Sequence, residues 1–522
     1  MLLEANNLIV SIQGRTLIEI EELEIHEGER IGLIGKNGSG KTTLLRMLAS
    51  EKIPEEGEIH GYTSIDFLPQ LKEQIADKSG GEVTQQYIQD AFATQAELLF
   101  ADEPTTHLDT AHIEWVEKHF LHWQGAFIVV SHDRAFLDRV CNQIWEINDQ
   151  KLRVFNGNYQ NYREQKEIEQ REREAEYEKY QEKRQQLTKA IEQKEVRAQR
   201  ATKKPQRVSN SEAGSIGAKP YFAKKQKKLR QTAKSLETRL DKLEKVEKPF
   251  EEKPLRMELP QQEKLSGKTL IQANHVDGTI GQRTLWQNGT FQVKAGMKLA
   301  IIGDNGSGKT TLLRKLLSRE EGVQVSSACQ IGYFKQDLSL LETDRSILAN
   351  VQEDSVHEET LIRTVLARLH FYGDQVHKKV EVLSGGERVK VSLAKILLGN
   401  SNTLILDEPT NFLDIEAMEA LEKLLIEYEG SLLFVSHDRR FVERIATAIL
   451  EIKNEHLHFF AGDYPAYLEH QQQPDESNDD QEDLLLIETR ITEVLSKLSL
   501  DPSPELEEEF QQLVKRKREL TD

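Results

Sequence analysis

The sequence predicts an α/β fold in which two similar domains flank a long helical segment, with a helical extension at the C-terminus. The string GKNGSGKTTLLR at residues 35–46 recurs as GDNGSGKTTLLR at residues 303–314, each time after an apolar run typical of a buried strand. Residues 160–203 contain neither Gly nor Pro and are rich in good helix formers. A chain of 522 residues is also too long for one core. We therefore expect a first cassette at residues 1–158, a helical linker at residues 159–262, a second cassette at residues 263–470, and a polar spacer with a helical hairpin at residues 471–522.

The repeat extends to three further strings in the same order. SGGE, DEPT and VSHDR begin at residues 79, 102 and 130 in the first half and at residues 384, 407 and 435 in the second. The Glu of SGGE precedes the Asp of DEPT by 20 residues in both copies, and that Asp precedes the His of VSHDR by 30. Only 8 residues separate Gln70 from Ser79, whereas 47 separate Gln336 from Ser384. The first cassette has therefore lost most of a helical insertion that the second retains.

Each GxxxxGK[ST] string predicts a phosphate-binding loop, because it joins the apolar strand to a helix. Its glycines let backbone N–H groups approach phosphate oxygens, and the helix N-terminus adds a favourable field. Lys41 and Lys309 are expected on the β- and γ-phosphates of ATP, with Thr42 and Thr310 on Mg²⁺. One such loop can arise by chance, but two in register with further motifs do not. The predicted nucleotide-binding residues of the loops are Gly35, Asn37, Gly38, Ser39, Gly40, Lys41, Thr42 and Thr43, and Gly303, Asn305, Gly306, Ser307, Gly308, Lys309, Thr310 and Thr311.

The acids that end the runs LLFAD and LILD predict a hydrolytic centre, because ligands of open α/β sheets collect at the carboxyl ends of strands. Asp102 and Asp407 are expected to complete the Mg²⁺ shell. The adjacent Glu103 and Glu408 are expected to polarise the attacking water, as general bases or as orienting groups; the alternative is that each acid pair caps a turn. The remaining expected members are the switch residues His132 and His437, which would contact the γ-phosphate or the water, and the metal ligands Gln70 and Gln336.

The ordered set of phosphate loop, Gln, SGGE, DE and His resembles the ATP-binding cassette (ABC) family across both halves. In that family the SGGE turn of one cassette closes on the ATP held by the other. The resemblance therefore implies a monomer whose own cassettes pair head to tail around two Mg-ATP molecules. The first phosphate loop would face Ser384, Gly385, Gly386 and Glu387, and the second would face Ser79, Gly80, Gly81 and Glu82.

Two departures from the family pattern bear on these sites. Family members often stack an aromatic residue on adenine ahead of the phosphate loop, whereas the best-matching positions here are Ile12 and Ile280. Lys78 precedes the first SGGE, whereas Leu383 precedes the second. We therefore expect relaxed base selectivity and two inequivalent sites.

The linker predicts two antiparallel helices joined by a tip loop at about residues 204–220, which Pro205, Pro220 and several glycines interrupt. About 45 helical residues at ~1.5 Å each would reach roughly 65 to 70 Å. In the first helix a set of residues falls on one helical face, and in the second helix apolar residues follow a heptad seam. These faces consist of Tyr177, Tyr180, Arg184, Leu187 and Ile191, and of Leu229, Ala233, Leu236, Leu240 and Leu243.

The charge distribution predicts a polyanionic partner for the linker. The formal net charge is -19, yet residues 183–234 contain 16 Lys and Arg against three Glu. An acidic body with one basic projection would present that projection first to a polyanion. The alternative is a charged coiled coil that only spaces the cassettes.

Other features of the composition narrow the class of protein. No run approaches the roughly 18 apolar residues that cross a bilayer, and the N-terminus lacks a secretory pattern, so a cytoplasmic protein without membrane contact is expected. Cys141 and Cys329 are too few for a disulfide framework or a CxxC zinc site, and we expect them to serve in packing.

The whole chain is similar to the ABC-F proteins, most closely to Vga-type antibiotic-resistance members, in the strings ATKKPQR, GAKPYFAKKQKKLR, KSLETRL and LSGGERVKV. The resemblance implies that the ATP-bound form occupies the tRNA exit site of the bacterial ribosome, contacting large-subunit rRNA and a peptidyl-site tRNA. It also implies that the tip dislodges lincosamides, streptogramin A compounds and pleuromutilins from the peptidyl-transferase centre. The residues that would then contact rRNA or the drug site are Val208, Ser209, Ser211, Ile216, Lys219, Lys224, Lys225, Lys227 and Lys228. A housekeeping ABC-F translation factor and a DNA-repair or transporter-associated ATPase remain as alternatives.

Overall fold

The computed structural model describes residues 1–12, 14–70, 80–94, 96–106, 108–200, 218–246, 267–335 and 340–472, and a few positions between residues 491 and 517. The chain forms two compact units. The first consists of residues 1–159 and 254–522, and the second consists of residues 160–253.

The first cassette is built on a nine-stranded sheet with the order β4-β1-β2-β9-β8-β3-β7-β6-β5. Its parallel part pairs β3 with β7 and β8, and β6 with β5 and β7. Strands β6 and β7 are buried along their whole length, as expected where helices cover both faces of a parallel sheet. The elements are β1 (Leu3–Ile12), β2 (Arg15–Ile25), β3 (Arg30–Gly35), α1 (Lys41–Leu48), β4 (Glu56–Gly61), β5 (Ile65–Leu68), α2 (Gly80–Ala93), β6 (Leu98–Asp102), α3 (Thr110–His122), β7 (Ala126–Val130), α4 (Arg134–Val140), β8 (Gln143–Asn148) and β9 (Lys151–Asn156).

The second cassette divides its strands between a three-stranded sheet, β11-β10-β13, and a six-stranded sheet, β14-β15-β16-β12-β17-β18. Two 3₁₀ turns, Gly373–His377 and Val380–Val382, precede its SGGE helix. The other elements are β10 (Thr269–Ile280), β11 (Arg283–Lys294), β12 (Lys298–Gly303), α7 (Lys309–Ser318), β13 (Val323–Val325), β14 (Ile331–Phe334), α8 (Ile347–Glu353), α9 (Glu359–Arg368), α10 (Gly385–Leu397), β15 (Thr403–Asp407), α11 (Ile415–Glu427), β16 (Ser431–Val435), α12 (Arg439–Ile445), β17 (Ala448–Lys453), β18 (His456–Phe460) and α13 (Tyr464–Gln472).

The two cassettes share one topology, which confirms the predicted tandem α/β fold. Strand β12 lies between β16 and β17, just as β3 lies between β7 and β8. Each phosphate loop therefore follows a central strand, β3 or β12. Each acid pair lies at the end of β6 or β15, and one strand separates β6 or β15 from that central strand. The carboxyl ends of parallel strands meet at one edge of the sheet, so the repeated motifs are brought together there.

The insertion of the second cassette is helical. Helices α8 and α9 lie between β14 and α10, and their side chains Ile347, Val351, Ile362, Val365 and Leu366 are buried in one apolar cluster with residues of α10 and α11. In the first cassette residues 71–79, at the matching position, lie outside the described part of the chain.

The described part of the second unit contains two helices, α5 (Tyr159–Arg200), whose first residue belongs to the first unit, and α6 (Ala218–Asp241). Helix α5 has 42 residues and is therefore about 63 Å long. The predicted seam of α6 is its least exposed face, with Ala233 buried. On α5, Tyr177, Leu187 and Ile191 are half-buried, whereas Arg184 is exposed.

The predicted tip loop at about residues 204–220 overlaps the start of α6 by three residues. Helix α6 begins at Ala218 and includes Pro220 in its first turn. Proline is accepted there because the first N–H groups of a helix have no partner within it. Residues 204–217 of the predicted loop, and most of residues 471–522, lie outside the described residues.

Candidate nucleotide-hydrolysis sites at the cassette interface

The two phosphate loops have the same internal geometry. Gly40 and Gly308, which precede α1 and α7, have φ of 97° and 104°, in the left-handed region that glycine adopts without strain. In the first loop the Lys41 ammonium donates to the carbonyls of Gly35 and Lys36 at 2.7 and 3.1 Å. Lys309 does the same with Gly303 and Asp304 at 2.8 and 3.0 Å. Each lysine is thus held over its own loop, where a phosphate would meet both the ammonium and the helix N-terminus.

A hydroxyl and a carboxylate lie side by side in each cassette. The Thr310 hydroxyl donates to the Asp407 carboxylate at 3.3 Å, and Thr42 lies beside Asp102 at the equivalent place. Burial raises the pKa of Asp102 and of Asp407. Because burial disfavours the charged form of each aspartate, a cation beside it would stabilise the carboxylate. The paired hydroxyl and carboxylate oxygens therefore fit Mg²⁺, which prefers one or two carboxylates together with phosphate oxygens and water.

The glutamate after each aspartate has a raised pKa, and Glu103 is buried while Glu408 is largely buried. Burial raises the pKa of Glu103 to about 8 and that of Glu408 to about 7. His132 Nε2 lies 3.2 Å from Glu103, and His437 Nε2 lies 3.2 Å from Glu408. Burial, aided by the Lys41 ammonium, lowers the pKa of His132 to about 3, so this ring is neutral at physiological pH. A carboxyl group whose pKa lies near neutrality is well matched to proton transfer from water.

The first phosphate loop contacts the second cassette directly. The Asn37 backbone N–H donates to Asp414 at 3.2 Å, and its side-chain amide donates to the Phe412 carbonyl at 2.8 Å. Gly386 of the SGGE turn lies against the same side chain, since an added Cβ would stand 2.7 Å from the Phe412 carbonyl and 3.0 Å from the Asn37 amide. The second SGGE turn therefore lies at the first phosphate loop.

The second phosphate loop receives a matching contact from the first cassette. The Asn305 backbone N–H donates to Asp109 at 2.9 Å. The carboxylates of Asp109 and Asp414 also cap helices α3 and α11. Although burial opposes ionisation, these hydrogen bonds lower the pKa of Asp109, and Lys390 with the hydrogen bonds lowers that of Asp414. Both residues are held as anions.

The SGGE turn of the second cassette is a helix cap. The Ser384 hydroxyl accepts from the Glu387 N–H at 3.3 Å, and the Glu387 carboxylate accepts from the Ser384 N–H at 2.8 Å. This reciprocal pair starts α10 and directs its N-terminus toward the loop. In the first cassette Gly80 begins α2, while Ser79 and the side chain of Glu82 lie outside the described residues.

Several predicted residues are not gathered into the sites. Gln70 is exposed just beyond β5, and Gln336 lies outside the described residues. Ile280 is exposed at the end of β10. On α6 the predicted basic residues Lys224, Lys225, Lys227 and Lys228 are all exposed. The tip residues Val208, Ser209, Ser211 and Ile216, and the side chain of Lys219, lie outside the described residues.

The sequence reasoning missed the residues that join the cassettes. Asp109 and Asp414 end the repeated strings DEPTTHLD and DEPTNFLD, and Arg134 and Arg439 end the repeated VSHDR. The recurrence of these strings in both halves singles out the four residues, but it does not indicate which residue of the other cassette each one contacts.

Comparison with known proteins agrees with this geometry. The family described as ABC transporter matches residues 19–76 and 286–411, and a second family of that description matches residues 145–213. The ribosome protection protein VmlR of Bacillus subtilis (strain 168) is 34% identical over 552 aligned positions, covering 98% of this chain and 97% of that protein. The erythromycin resistance ATP-binding protein MsrA of Staphylococcus epidermidis is 33% identical, covering 84% and 95%. The solved structure of RNase-L Inhibitor matches with a TM-score of 0.58 at 17% identity, covering 87% of this chain and 90% of that one.

The fold and the paired motifs define a tandem ABC ATPase, an enzyme that hydrolyses ATP. Within that class, the chain belongs to the ABC-F family. No helix in the described ranges has the length and apolar character needed to span a membrane.

Proposed function

We propose that this chain is a cytoplasmic ribosome-protection ATPase, which binds the bacterial ribosome when ATP is bound and relieves inhibition by antibiotics of the peptidyl-transferase centre. The support that carries the proposal is its match, over 98% of its length, to a protein named for ribosome protection. The exposed basic face of α6 suits rRNA, because most of the affinity of proteins for nucleic acid comes from phosphate contacts.

The proposed binding site for this partner lies on α6. Gln226, Lys227, Arg230, Gln231 and Lys234 line a shallow cavity of about 260 Å³. Their spacing places three cations on one stripe of the helix. A phosphate backbone laid along the stripe would be contacted by each of them in turn.

In the proposed reaction each composite site acts on one nucleotide. Thr42 with Asp102, and Thr310 with Asp407, would hold Mg²⁺, which would supply positive charge to the phosphoryl oxygens when bound. Glu103 and Glu408 accept a proton from the attacking water, while His132 and His437 orient it. The SGGE turn of the opposite cassette completes each site. Gln70 and Gln336 are assigned to the edge of the metal shell.

The proposed place of action is the tRNA exit site, with a peptidyl-site tRNA as neighbour and the tip near bound lincosamides, streptogramin A compounds or pleuromutilins. The chain would act as a monomer. The test is expression in a drug-sensitive bacterium, with growth measured across drug concentrations for each class. Resistance is expected for the parent chain and not for a Lys41→Ala, Lys309→Ala variant, which loses the phosphate contacts.

A housekeeping translation factor of the same family is the second candidate, since the basic face of α6 suits ribosome binding without any action on drugs. The two functions separate in a paired experiment. ATP-dependent co-sedimentation with ribosomes accompanied by resistance supports protection. Co-sedimentation without resistance to any of the three drug classes would assign the chain to the housekeeping group instead.

A further inference from the structure

We propose that Arg134 is a positioning residue for closure by ATP, which holds the two cassettes together through the loops of their switch histidines and so sets the ATP concentration at which the cassettes associate. The inference goes beyond the proposed function, since it concerns how ATP closes the enzyme and not what the enzyme binds. It begins from one buried guanidinium that lies between the cassettes.

Arg134 belongs to the first cassette, but its charged partners belong to the second. Its side chain is 2% exposed and is paired with Glu422, which is fully buried. The same guanidinium lies 3.3 Å from the Asp438 carboxylate and 4.0 Å from that of Glu419. A buried arginine surrounded by three carboxylates has its charge well compensated only while the two cassettes are together.

The position of Arg134 in the chain links this cluster to catalysis. Arg134 follows the switch residue His132 by two residues, and Asp438 follows the other switch residue, His437, by one. The Arg134 to Asp438 ion pair therefore ties one histidine loop to the other across the interface. Since each histidine lies 3.2 Å from its glutamate, both hydrolytic centres depend on the association of the cassettes, which Arg134 favours and which saturating ATP restores in its absence.

The cluster is built so that it can open. Glu422 also accepts a 2.6 Å hydrogen bond from Arg444 of its own cassette. When the cassettes separate, Glu422 therefore keeps one cation, while Arg134 returns to water. Tyr159 adds a neutral contact, since its hydroxyl donates to Glu419 at 3.5 Å and its ring lies 5.5 Å below the Arg440 guanidinium.

The second repeat has an equivalent cluster around Arg439, whose ion pairs are more exposed to water. Arg439 lies 3.6 Å from Glu117 and 3.4 Å from Glu114, and it donates to the Thr110 carbonyl at 2.9 Å. Glu117 is held in turn by Arg139 at 2.6 Å. However, the Arg439 side chain is 21% exposed, so water screens its ion pairs more than those of Arg134. Arg439→Met is therefore the matched control for Arg134→Met.

The test uses the full chain and follows closure and hydrolysis separately. Donor and acceptor dyes are attached at Ile53→Cys and Val356→Cys, which are exposed positions on the two cassettes, while both native cysteines are buried. Energy transfer is titrated with ATP, and kcat and KM for ATP are measured on each variant. Thermal unfolding without ATP reports on folding.

Arg134→Met should raise both KM and the midpoint of the ATP titration by about fivefold or more, with kcat at saturating ATP within about twofold. Arg439→Met should cause a smaller shift. Arg134→Lys should fall between Arg134→Met and the parent, because it keeps the charge but not the forked geometry. Arg134→Met with Glu422→Gln should resemble Arg134→Met alone if the two residues act through each other.

Two results would overturn the proposal. One is an Arg134→Met protein with the parental KM and titration midpoint. The other is a loss of kcat at unchanged KM, which would place Arg134 in the chemical step or in general stability. If Arg134→Met fails to fold, the Arg134→Lys shift decides the question: an unchanged midpoint refutes the positioning role, and a raised midpoint with kcat retained supports it.

Discussion

Glu103 and Glu408 adopt a left-handed backbone conformation, each with φ of 51°. This conformation costs a residue with a Cβ about 1 to 3 kcal/mol. The surrounding chain enforces it, since the Glu103 N–H donates to the Val130 carbonyl at 2.9 Å and the Glu408 N–H donates to that of Val435 at 3.0 Å. The strain turns each carboxylate away from the preceding strand and places it beside its histidine. It occurs at equivalent positions of both repeats, directly after the Asp of each acid pair.

Replacing both glutamates by Gln should slow hydrolysis by at least about a hundredfold, because an amide cannot accept a proton from water. ATP binding should persist, since Lys41, Lys309 and the loops are untouched. Single-turnover hydrolysis and filter binding of labelled ATP measure the two effects. Glu56→Gln with Glu455→Gln changes two exposed acids and serves as the control. Normal hydrolysis by the double variant would remove both glutamates from the reaction.

The substitution Asp414→Asn should distinguish the two roles of Asp414, which caps helix α11 and also contacts the phosphate loop of the other cassette. Asp414 uses one oxygen to accept from the Ala417 N–H at 3.0 Å and the other to accept from the Asn37 N–H. Asn has one acceptor oxygen, so it can keep the cap and lose the contact between cassettes. KM for ATP should rise while Tm changes little. Asp414→Ala should also lower stability by about 1 kcal/mol. An Asn variant with unchanged KM would make Asp414 a cap only.

At the scale of elements, helix α6 has its basic side chains on an exposed face and its apolar side chains on the heptad seam. Lys224, Lys225, Lys227 and Lys228 are all exposed, whereas Ala233 is buried on the seam. The seven-residue period keeps the two sets apart. The basic face can therefore be changed without removing the residues that support the helix.

Changing Lys224, Lys225, Lys227, Lys228 and Arg230 to Gln should weaken ribosome binding and flatten its dependence on salt. Fewer counterions are released when fewer phosphates are neutralised, and Gln preserves the helix. Co-sedimentation at a series of salt concentrations measures the slope. Lys52→Gln with Lys151→Gln, on exposed positions of the first cassette, is the control. A slope equal to that of the parent would leave this face as solvated surface.

At the scale of the whole molecule, two cassettes in one chain make reciprocal contacts that are not identical. Asp414 meets the first phosphate loop and Asp109 meets the second. Arg134 is nearly inaccessible, whereas its counterpart Arg439 is partly exposed. A tandem chain can vary one interface without the other, which two identical subunits cannot do. The two interfaces therefore differ at residues close to the ATP sites, in agreement with the inequivalence that the sequence predicts.

Replacing residues 209–217 by a Gly/Ser loop of equal length should separate drug protection from ribosome binding. The segment lies between α5 and α6 in sequence, and its replacement leaves the cassettes and basic helices intact. ATPase activity and co-sedimentation should persist while resistance falls. Substituting Val208 or Ile216 should alter which drugs are resisted. Full resistance to every drug with a Gly/Ser tip would make this segment only a connector.

The sequence alone determined the tandem α/β fold and the identity of each motif. The phosphate loops, the DE pairs and the two histidines are contiguous strings, and the chemistry expected of each follows from local backbone and residue type. The spacing between Gln336 and Ser384 predicts the helical insertion, and the heptad period of α6 predicts its less exposed face. The prolines and glycines predict a loop to about residue 220, whereas α6 begins at Ala218, because proline is accepted in the first turn of a helix.

Only the tertiary structure decided which residues join the two cassettes. Arg134 and Glu422 are 288 positions apart, and neither belongs to a motif with a pairing rule. Burial raises the pKa of Glu103 against the opposing effect of Lys41, and burial aided by Lys41 lowers the pKa of His132. Burial depends on how strands stack and not on neighbours in sequence. Local strings encode local chemistry, whereas ion pairs, desolvation and strain depend on distances that exist only after the chain has folded.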